Sequence, residues 1–222
     1  MKISILVFDL SNNCLVRVYP VAKVLGRHYD LEFIGPTVSG GVFKPYEKEF
    51  EYKVIKGGFT YPGLCGTLKR IRDAVTGDVV YAFKPKTTSL IPGLMKKVGD
   101  GTPLVLDIED WEYALSSQNG FKSAASFLAL WHHNSLTYLA LLERLAKLAD
   151  ERVVATRFLQ RKFGGVYIPH GADTDFFNPG KYDGRNVRGE YGLKDETVVM
   201  FCGMPVSYTH LRAHETPEHL VC

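Results

Sequence analysis

The sequence predicts an α/β fold: a doubly wound parallel sheet with helices on both faces. Apolar runs of strand length alternate along the chain with stretches whose apolar residues recur at helical spacing, the pattern of a parallel sheet covered on both sides. The run PLVLDI (103–108) is apolar enough to be a central strand. No internal repeat or low-complexity tract interrupts the alternation.

In chain order, KISILVF (2–8) reads as a buried strand. CLVRVYPVAKVLGRHY (14–29) reads as a helix, with Leu15, Val18, Tyr19, Ala22 and Leu25 at helical spacing. Pro20 is expected to kink that helix or mark its true start. LEFIGP (31–36) is the second strand, and a glycine- and aromatic-containing loop (37–46) leads to a weaker strand at EYKVI. LCGTLKRIRDAV (64–75) is an amphipathic helix stopped by Gly77. DVVYAF (78–83) and TPLVLDI (102–108) are strands, with the helix SLIPGLMKKVG between them kinked at Pro92. Then come the helix LTYLALLERLAKLAD, the strand ERVVA (151–155), the short helix TRFLQRKFGG, and a short apolar strand running into Pro169 and a His170–Gly171 turn. In such sheets ligands bind beyond the carboxyl ends of the strands, which points to the loops after Phe8, Phe83 and Ile108.

The 222 residues carry a net charge of +3, mildly basic and far short of a nucleic-acid-binding footprint. A hydrophobic content of 45% suffices for one substantial core and the start of another. Cys14, Cys65 and Cys202 are widely spaced without a C-x-x-C pair, which argues against a disulfide framework or a zinc site and for a reducing cytoplasm. No segment approaches the roughly 18 consecutive apolar residues of a membrane span, and the opening apolar run, broken by Asp9, is too short for a signal peptide.

About twenty residues after the His170–Gly171 turn, TVVMFCG reads as a new buried strand that opens a second domain. The residues that follow, VSYTHLRAHETPEHLVC (206–222), have neither helical nor strand period and resemble a translated sequencing adapter. Such a segment has no expected part in the fold; without it the chain loses one basic and two acidic residues and gains one positive charge. The expected division is a first domain over 1–179, a linker and the first strand of a truncated second domain over 180–204, and a non-native tail over 205–222.

VVYAFKPKTTSLIPGLMKK, PLVLDIEDWE, LAKLADERVVATRFLQRKFGG and VYIPHGADTDFFNP, in that order and spacing, resemble family 4 of the retaining GT-B glycosyltransferases. The resemblance covers essentially all of 1–204. It implies a Rossmann-like amino-terminal, acceptor-side domain and transfer of a sugar from a nucleotide-sugar to a glycan or lipid-linked acceptor, with retention of configuration. It also implies no cofactor beyond the donor substrate, no metal and no nucleic-acid partner, and peripheral contact with a membrane as in several relatives. The residues that such enzymes use for the nucleotide-sugar lie mostly in the carboxyl-terminal domain, outside this sequence. IPHGADTDFF stands for the family's I-P-N-G-V-D-x-x-x-F, with His170 and Ala172 departing from it, and places His170, Gly171 and Asp173 among the substrate-binding residues. The family's first loop is often glycine-rich, whereas here it is FDLSNN; Asn12 and Asn13 are the residues able to supply the left-handed turn that glycine normally provides. A GT-B nucleotide-sugar epimerase and a non-catalytic glycan-binding or scaffold domain are the alternatives.

DIEDWE (107–112) puts four carboxylates at the end of a buried strand. Glu109 matches the family position that touches the transferred sugar or the acceptor, and with Asp110 it is the candidate catalytic residue, able to accept a hydrogen bond and a proton from an acceptor hydroxyl. The other reading is that Asp107 and Asp110 cap the next helix or solvate a strand end. Asp107 and Glu109 also form a D-x-D-like pair of the kind that suits a hard divalent cation, which the family resemblance disfavours. Lys84 and Lys86, in AFKPKTTS, precede a helix that Thr87, Thr88 or Ser89 is expected to cap; they either meet a phosphate at that helix terminus or form a solvated basic loop. His132 and His133 in FLALWHHN point about 100° apart on a helix, poor geometry for a shared metal. Lys69, Arg70 and Arg72 offer a basic helix face to an anionic membrane or to water.

Overall fold

A computed structural model of the chain describes residues 1–117 and 135–199. FLALWHHN, the part of TVVMFCG from Met200 onward and the tail 206–222 lie outside the described residues; the described part of TVVMFCG, 197–199, is not in a strand, and Val198 and Val199 are exposed rather than buried. The chain divides into two compact units, Met1–Asp173 and Thr174–Cys222.

The first unit is a parallel α/β sheet of Rossmann-like form. Its elements are β1 (Lys2–Val7), α1 (Leu15–Leu25), β2 (Asp30–Pro36), β3 (Tyr52–Ile55), α2 (Gly63–Ala74), β4 (Val79–Phe83), α3 (Thr87–Asp100), β5 (Leu104–Ile108), α4 (Glu112–Ser117), α5 (Leu136–Leu145), β6 (Glu151–Val154), α6 (Arg157–Phe163) and β7 (Val166–Tyr167). The strands stand in the order β3-β2-β1-β4-β5-β6-β7, and every neighbouring pair is parallel. Succession runs outward one way from β1 to β3 and the other way from β4 to β7, so the topological switch lies between β1 and β4. The carboxyl ends of those two strands open the crevice where α/β sheets place their ligands.

Strand alternation divides the core in two. Leu6, Val80, Ala82, Leu104, Leu106 and Ile108 pack with Ile71, Leu90, Leu139 and Leu142 of α2, α3 and α5. Ile3, Ile5, Val7, Tyr81 and Phe83 pack with Leu15, Val18 and Ala22 of α1. Both faces are covered, which explains why the strands read as nearly continuous apolar runs. Pro20 lies inside α1, which starts at Leu15, so it does not mark the helix start. Pro92 lies inside α3, and that helix begins two residues earlier than SLIPGLMKKVG suggested. α3 ends at Gly101, whose φ of 72° is the left-handed C-terminal conformation in which a Cβ is unfavourable. The aromatic residues of the loop after β2 fold back on β2 and α1, with Phe50 stacked on Phe33 of β2 at 4.2 Å and Tyr46 lying 5.0 Å from Tyr19 of α1. Among the described residues no helix is long and apolar enough to cross a membrane.

The sheet is tied at its amino-terminal end by a buried carboxylate that the apolar pattern did not single out. Glu32 of β2 pairs in register with Ser4 of β1 and accepts a hydrogen bond from its hydroxyl. It also accepts from Lys2 Nζ at 2.8 Å, Lys53 Nζ at 2.7 Å, and the Thr76 amide and hydroxyl at 2.8 and 2.9 Å. Burial opposes the charge, but these donors together hold the Glu32 carboxyl well below the usual carboxylate range. A lowered folded-state pKa stabilises the fold fully above the unfolded value of about 4.3 and less as pH falls beneath it. Glu32→Gln is therefore expected to cost about 2 kcal/mol at pH 7, with the gap to wild type narrowing below about pH 4. Urea denaturation from pH 7 to pH 3 measures this, and a gap that stays constant over that range contradicts it.

The second unit, over its described residues, holds a short helix, α7 (Gly184–Glu190), capped by the Asp183 carboxylate, which accepts from the Arg185 amide at 3.0 Å.

Candidate active site at the carboxyl ends of β1, β4 and β5

The loop after β1 is closed by its own carboxylate. Asp9 is buried, and its Oδ1 accepts from the Ser11 amide at 2.9 Å, the Ser11 hydroxyl at 2.6 Å and the Val38 amide at 3.1 Å. Asn12 Oδ1 accepts from the Cys14 amide at 3.2 Å, which starts α1. Asn12 and Asn13 stand exposed on this loop, and neither takes the left-handed turn expected of them. Asp9 removes the need for it, because its side chain satisfies the turn amides from an ordinary backbone. Among the described residues the positive φ outside glycine belongs instead to Lys84, at 65°.

Lys84 is the hub of the loop after β4. Its Nζ lies 2.7 Å from Asp110 Oδ2, 3.3 Å from Glu112 Oε1 and 3.4 Å from Glu109 Oε2. Lys86 Nζ lies 2.6 Å from Glu112 Oε2. The two side chains are only 15% and 11% exposed, so this is not a solvated basic loop. Burial works against the Lys84 ammonium, but Glu112, Asp110 and Glu109 outweigh it and raise its pKa above the ordinary lysine value. α3 has no side-chain cap. The Thr88 hydroxyl donates to the Phe8 carbonyl at 2.6 Å and ties the start of α3 to the end of β1, while the Ser89 hydroxyl donates to the Lys84 carbonyl at 2.6 Å and closes the loop after β4; neither caps the helix.

At the end of β5, Asp107 neither caps a helix nor meets water. It is 0% exposed, and Arg17 of α1, 1% exposed, reaches it with Nε at 3.3 Å and Nη2 at 3.2 Å. The Tyr81 hydroxyl donates to the same carboxylate at 3.1 Å. Burial raises the Asp107 carboxyl, with Arg17 and Tyr81 opposing. With both oxygens engaged in this way, Asp107 is not offered to a cation beside Glu109. Among the described residues no group of three or more His, Cys, Asp or Glu side chains is placed to hold a metal.

Arg17 also ties in the motif after β7. Its Nη2 donates to the Ile168 carbonyl and its Nη1 to the Pro169 carbonyl, each at 2.9 Å. The next residue, His170, is half-exposed and brings Nε2 to 3.9 Å from Glu109 Oε1. Gly171 is exposed and Asp173 half-buried beyond it. Burial raises the Glu109 carboxyl from its ordinary value, with the Lys84 charge opposing. The Cys14 thiol beneath, pushed up to about 12 by burial, donates to the Asp9 carbonyl at 3.3 Å and stays protonated.

The structure thus gathers Lys84, Lys86, Glu109, Asp110 and His170 at one rim of the crevice. Asp9, Tyr81 and Arg17 were not singled out from the sequence. A signal for Arg17 was there: one carboxylate inside the apolar strand PLVLDI requires a buried cation or hydrogen-bond donors.

No protein-family model matches the chain, and no curated protein matches it in sequence. Among solved structures it is similar to Anabaena Alr3699/HepE. The HepE structure in complex with UDP-glucose aligns with a TM-score of 0.53 and 17% identity over 86% of this chain and 50% of that one. The complex of the same protein with UDP and glucose aligns with a TM-score of 0.56 and 18% identity over the same shares. The chain spans about half the length of the solved structure it matches, and what the two share at this identity is the fold.

Proposed function

We propose that this chain forms the acceptor side of a glycosyltransferase that moves a sugar from a nucleotide-sugar to a glycan or lipid-linked acceptor, with retention of configuration. Glu109 is the proposed catalytic residue, with Asp110 beside it. Asn12, Asn13, His170, Gly171 and Asp173 are the proposed substrate-binding residues, and the nucleotide is held mostly by the remainder of a longer protein. In the proposed reaction the acceptor oxygen bonds to the anomeric carbon on the same face from which the diphosphate departs, so the configuration is retained as the bond from that carbon to the diphosphate breaks. The nucleoside diphosphate leaves, and the acceptor's proton passes to Glu109. No metal is invoked, and the activity is placed in the cytoplasm or at the face of a membrane.

The observation that carries this reading is the position of Glu109: a half-buried carboxylate at the carboxyl end of a central strand, with a raised pKa and an imidazole within 3.9 Å. A carboxyl pKa above its ordinary value makes the carboxylate a better proton acceptor, the direction that proton transfer from an acceptor hydroxyl favours. Similarity in fold to a protein solved with UDP-glucose supports the donor class.

The full-length protein, incubated with UDP-glucose and other nucleotide-sugars, is expected to release nucleoside diphosphate when a glycan or lipid-linked acceptor is present and to leave the anomeric configuration unchanged in the product. Interconversion of the nucleotide-sugar without an acceptor would make it an epimerase instead. Binding without turnover would make it a glycan-binding scaffold.

A further inference from the structure

We infer that Lys84 is a positioning residue, whose ammonium holds the Glu109 carboxylate in place at the end of β5 rather than holding a phosphate. The inference rests on the reading of Glu109 as the catalytic carboxylate and assigns the group that sets it.

Two independent features of the geometry point to Lys84. The first is its backbone. A φ of 65° is unfavourable for any residue with a Cβ, and glycine or asparagine is the usual occupant. The conformation is imposed locally: the Lys84 amide donates to the Asp107 carbonyl at 2.9 Å, while its own carbonyl accepts from the Lys86 amide at 2.8 Å and the Ser89 hydroxyl at 2.6 Å. A lysine at a position suited to glycine implies that its side chain contributes something glycine lacks. The second feature is what that side chain meets. Glu109, Asp110 and Glu112 arrive from the β5 end and the start of α4, and all three lie within 3.4 Å of the one ammonium. Lys86 engages the other oxygen of Glu112, which leaves Lys84 as the cation common to all three carboxylates. A phosphate could take Lys84 only by displacing them.

The charged and titratable groups around Glu109 are Lys84 from the β4 loop, Asp110 and Glu112 from its own segment, His170 from the loop after β7, and Cys14 at the start of α1. Of these, burial and Asp110 favour a protonated Glu109, whereas Lys84 is the foremost influence favouring the charged form. Removing Lys84 therefore raises the Glu109 pKa.

The test is a carbon-detected NMR titration of the Glu109 carboxyl in the chain Met1–Cys222, for wild type, Lys84→Arg, Lys84→Met and Lys84→Gly. The Met and Gly variants are expected to move the midpoint upward by about one pH unit or more, a tenfold change in proton affinity, while Arg leaves it near wild type. Glycine relieves the left-handed backbone, so Lys84→Gly melts no lower than Lys84→Met; it keeps the test open if Lys84→Met folds poorly. An unmoved midpoint in both variants overturns the inference. So does a loss of more than about tenfold in UDP affinity for Lys84→Met full-length protein, the signature of a phosphate ligand. If the midpoint moves but the acid limb of turnover in the full-length protein does not follow it, Lys84 positions Glu109 as inferred, and it is the catalytic reading of Glu109 that fails.

Discussion

Arg17→Met is expected to destabilise the Met1–Asp173 unit by about 3–5 kcal/mol, the usual loss when one partner of a buried ion pair is removed. Arg17 and Asp107 are 1% and 0% exposed, and methionine leaves the carboxylate, among the described residues, with the Tyr81 hydroxyl as its hydrogen-bond donor. Asp107 must then bind a proton or remain charged in an apolar interior, and the Ile168 and Pro169 carbonyls lose their donor as well. For a unit of this size the melting temperature should fall by about 10 °C or more. Arg17→Met combined with Asp107→Leu separates the two contributions. Replacing a buried pair by apolar residues is often neutral, so the double variant should recover the part due to the stranded charge. It should still lack about 3 kcal/mol, at roughly 1 kcal/mol each for the two carbonyls left without Arg17 and for the Tyr81 hydroxyl left without Asp107. A single variant within about 0.5 kcal/mol of wild type would show that the pair is not formed.

Glu109→Gln in the full-length protein is expected to lower turnover by about 10²–10⁴, or roughly 3–5 kcal/mol of barrier. Glutamine keeps the size and part of the hydrogen bonding and loses only the charge and the ability to take a proton. Folding should be little affected, because Glu109 is half-buried and one of three carboxylates that share Lys84. The folded-state pKa of Glu109 is raised, so its charged form costs stability at neutral pH, and removing the charge does not by itself unfold the protein. Turnover of the wild type should fall on the acid side of that raised pKa as the carboxylate takes up a proton, and the acid limb should be absent in Glu109→Gln. A strand-end carboxylate without a role would change turnover by no more than about 0.5 kcal/mol. Wild-type turnover in a well-folded variant would move the assignment to Asp110.

The sheet was legible because burial on both faces writes itself as apolar runs: KISILVF, DVVYAF and PLVLDI became β1, β4 and β5 with ends shifted by a residue or two. The end of the sheet that holds the candidate site follows from strand order and the crevice rule. Harder to read were polar residues whose partners are remote in sequence. Arg17 and Asp107 are 90 residues apart, and Ser4 and Glu32 are 28 apart. Helical spacing predicts which face of α1 is apolar, but not that an arginine beside it reaches through to β5. The loop after β1 differs from expectation for a similar reason. Asparagine tolerates positive φ and so suits a left-handed turn, but Asp9 closes the loop by accepting three hydrogen bonds, and among the described residues the left-handed non-glycine is Lys84. Composition rules for turns look one or two residues away, whereas Lys84 is held there by Asp107 and Ser89.

The most direct test is a crystal structure of the full-length protein with a nucleotide-sugar and an acceptor bound. The account predicts the transferred sugar beyond the carboxyl ends of β1, β4 and β5, with the Glu109 carboxylate about 2.6–3.2 Å from the acceptor hydroxyl or one water away, and Lys84 still on its three carboxylates. An acceptor seated elsewhere on the sheet, or Lys84 turned onto the diphosphate with Glu109 away from both substrates, would contradict it.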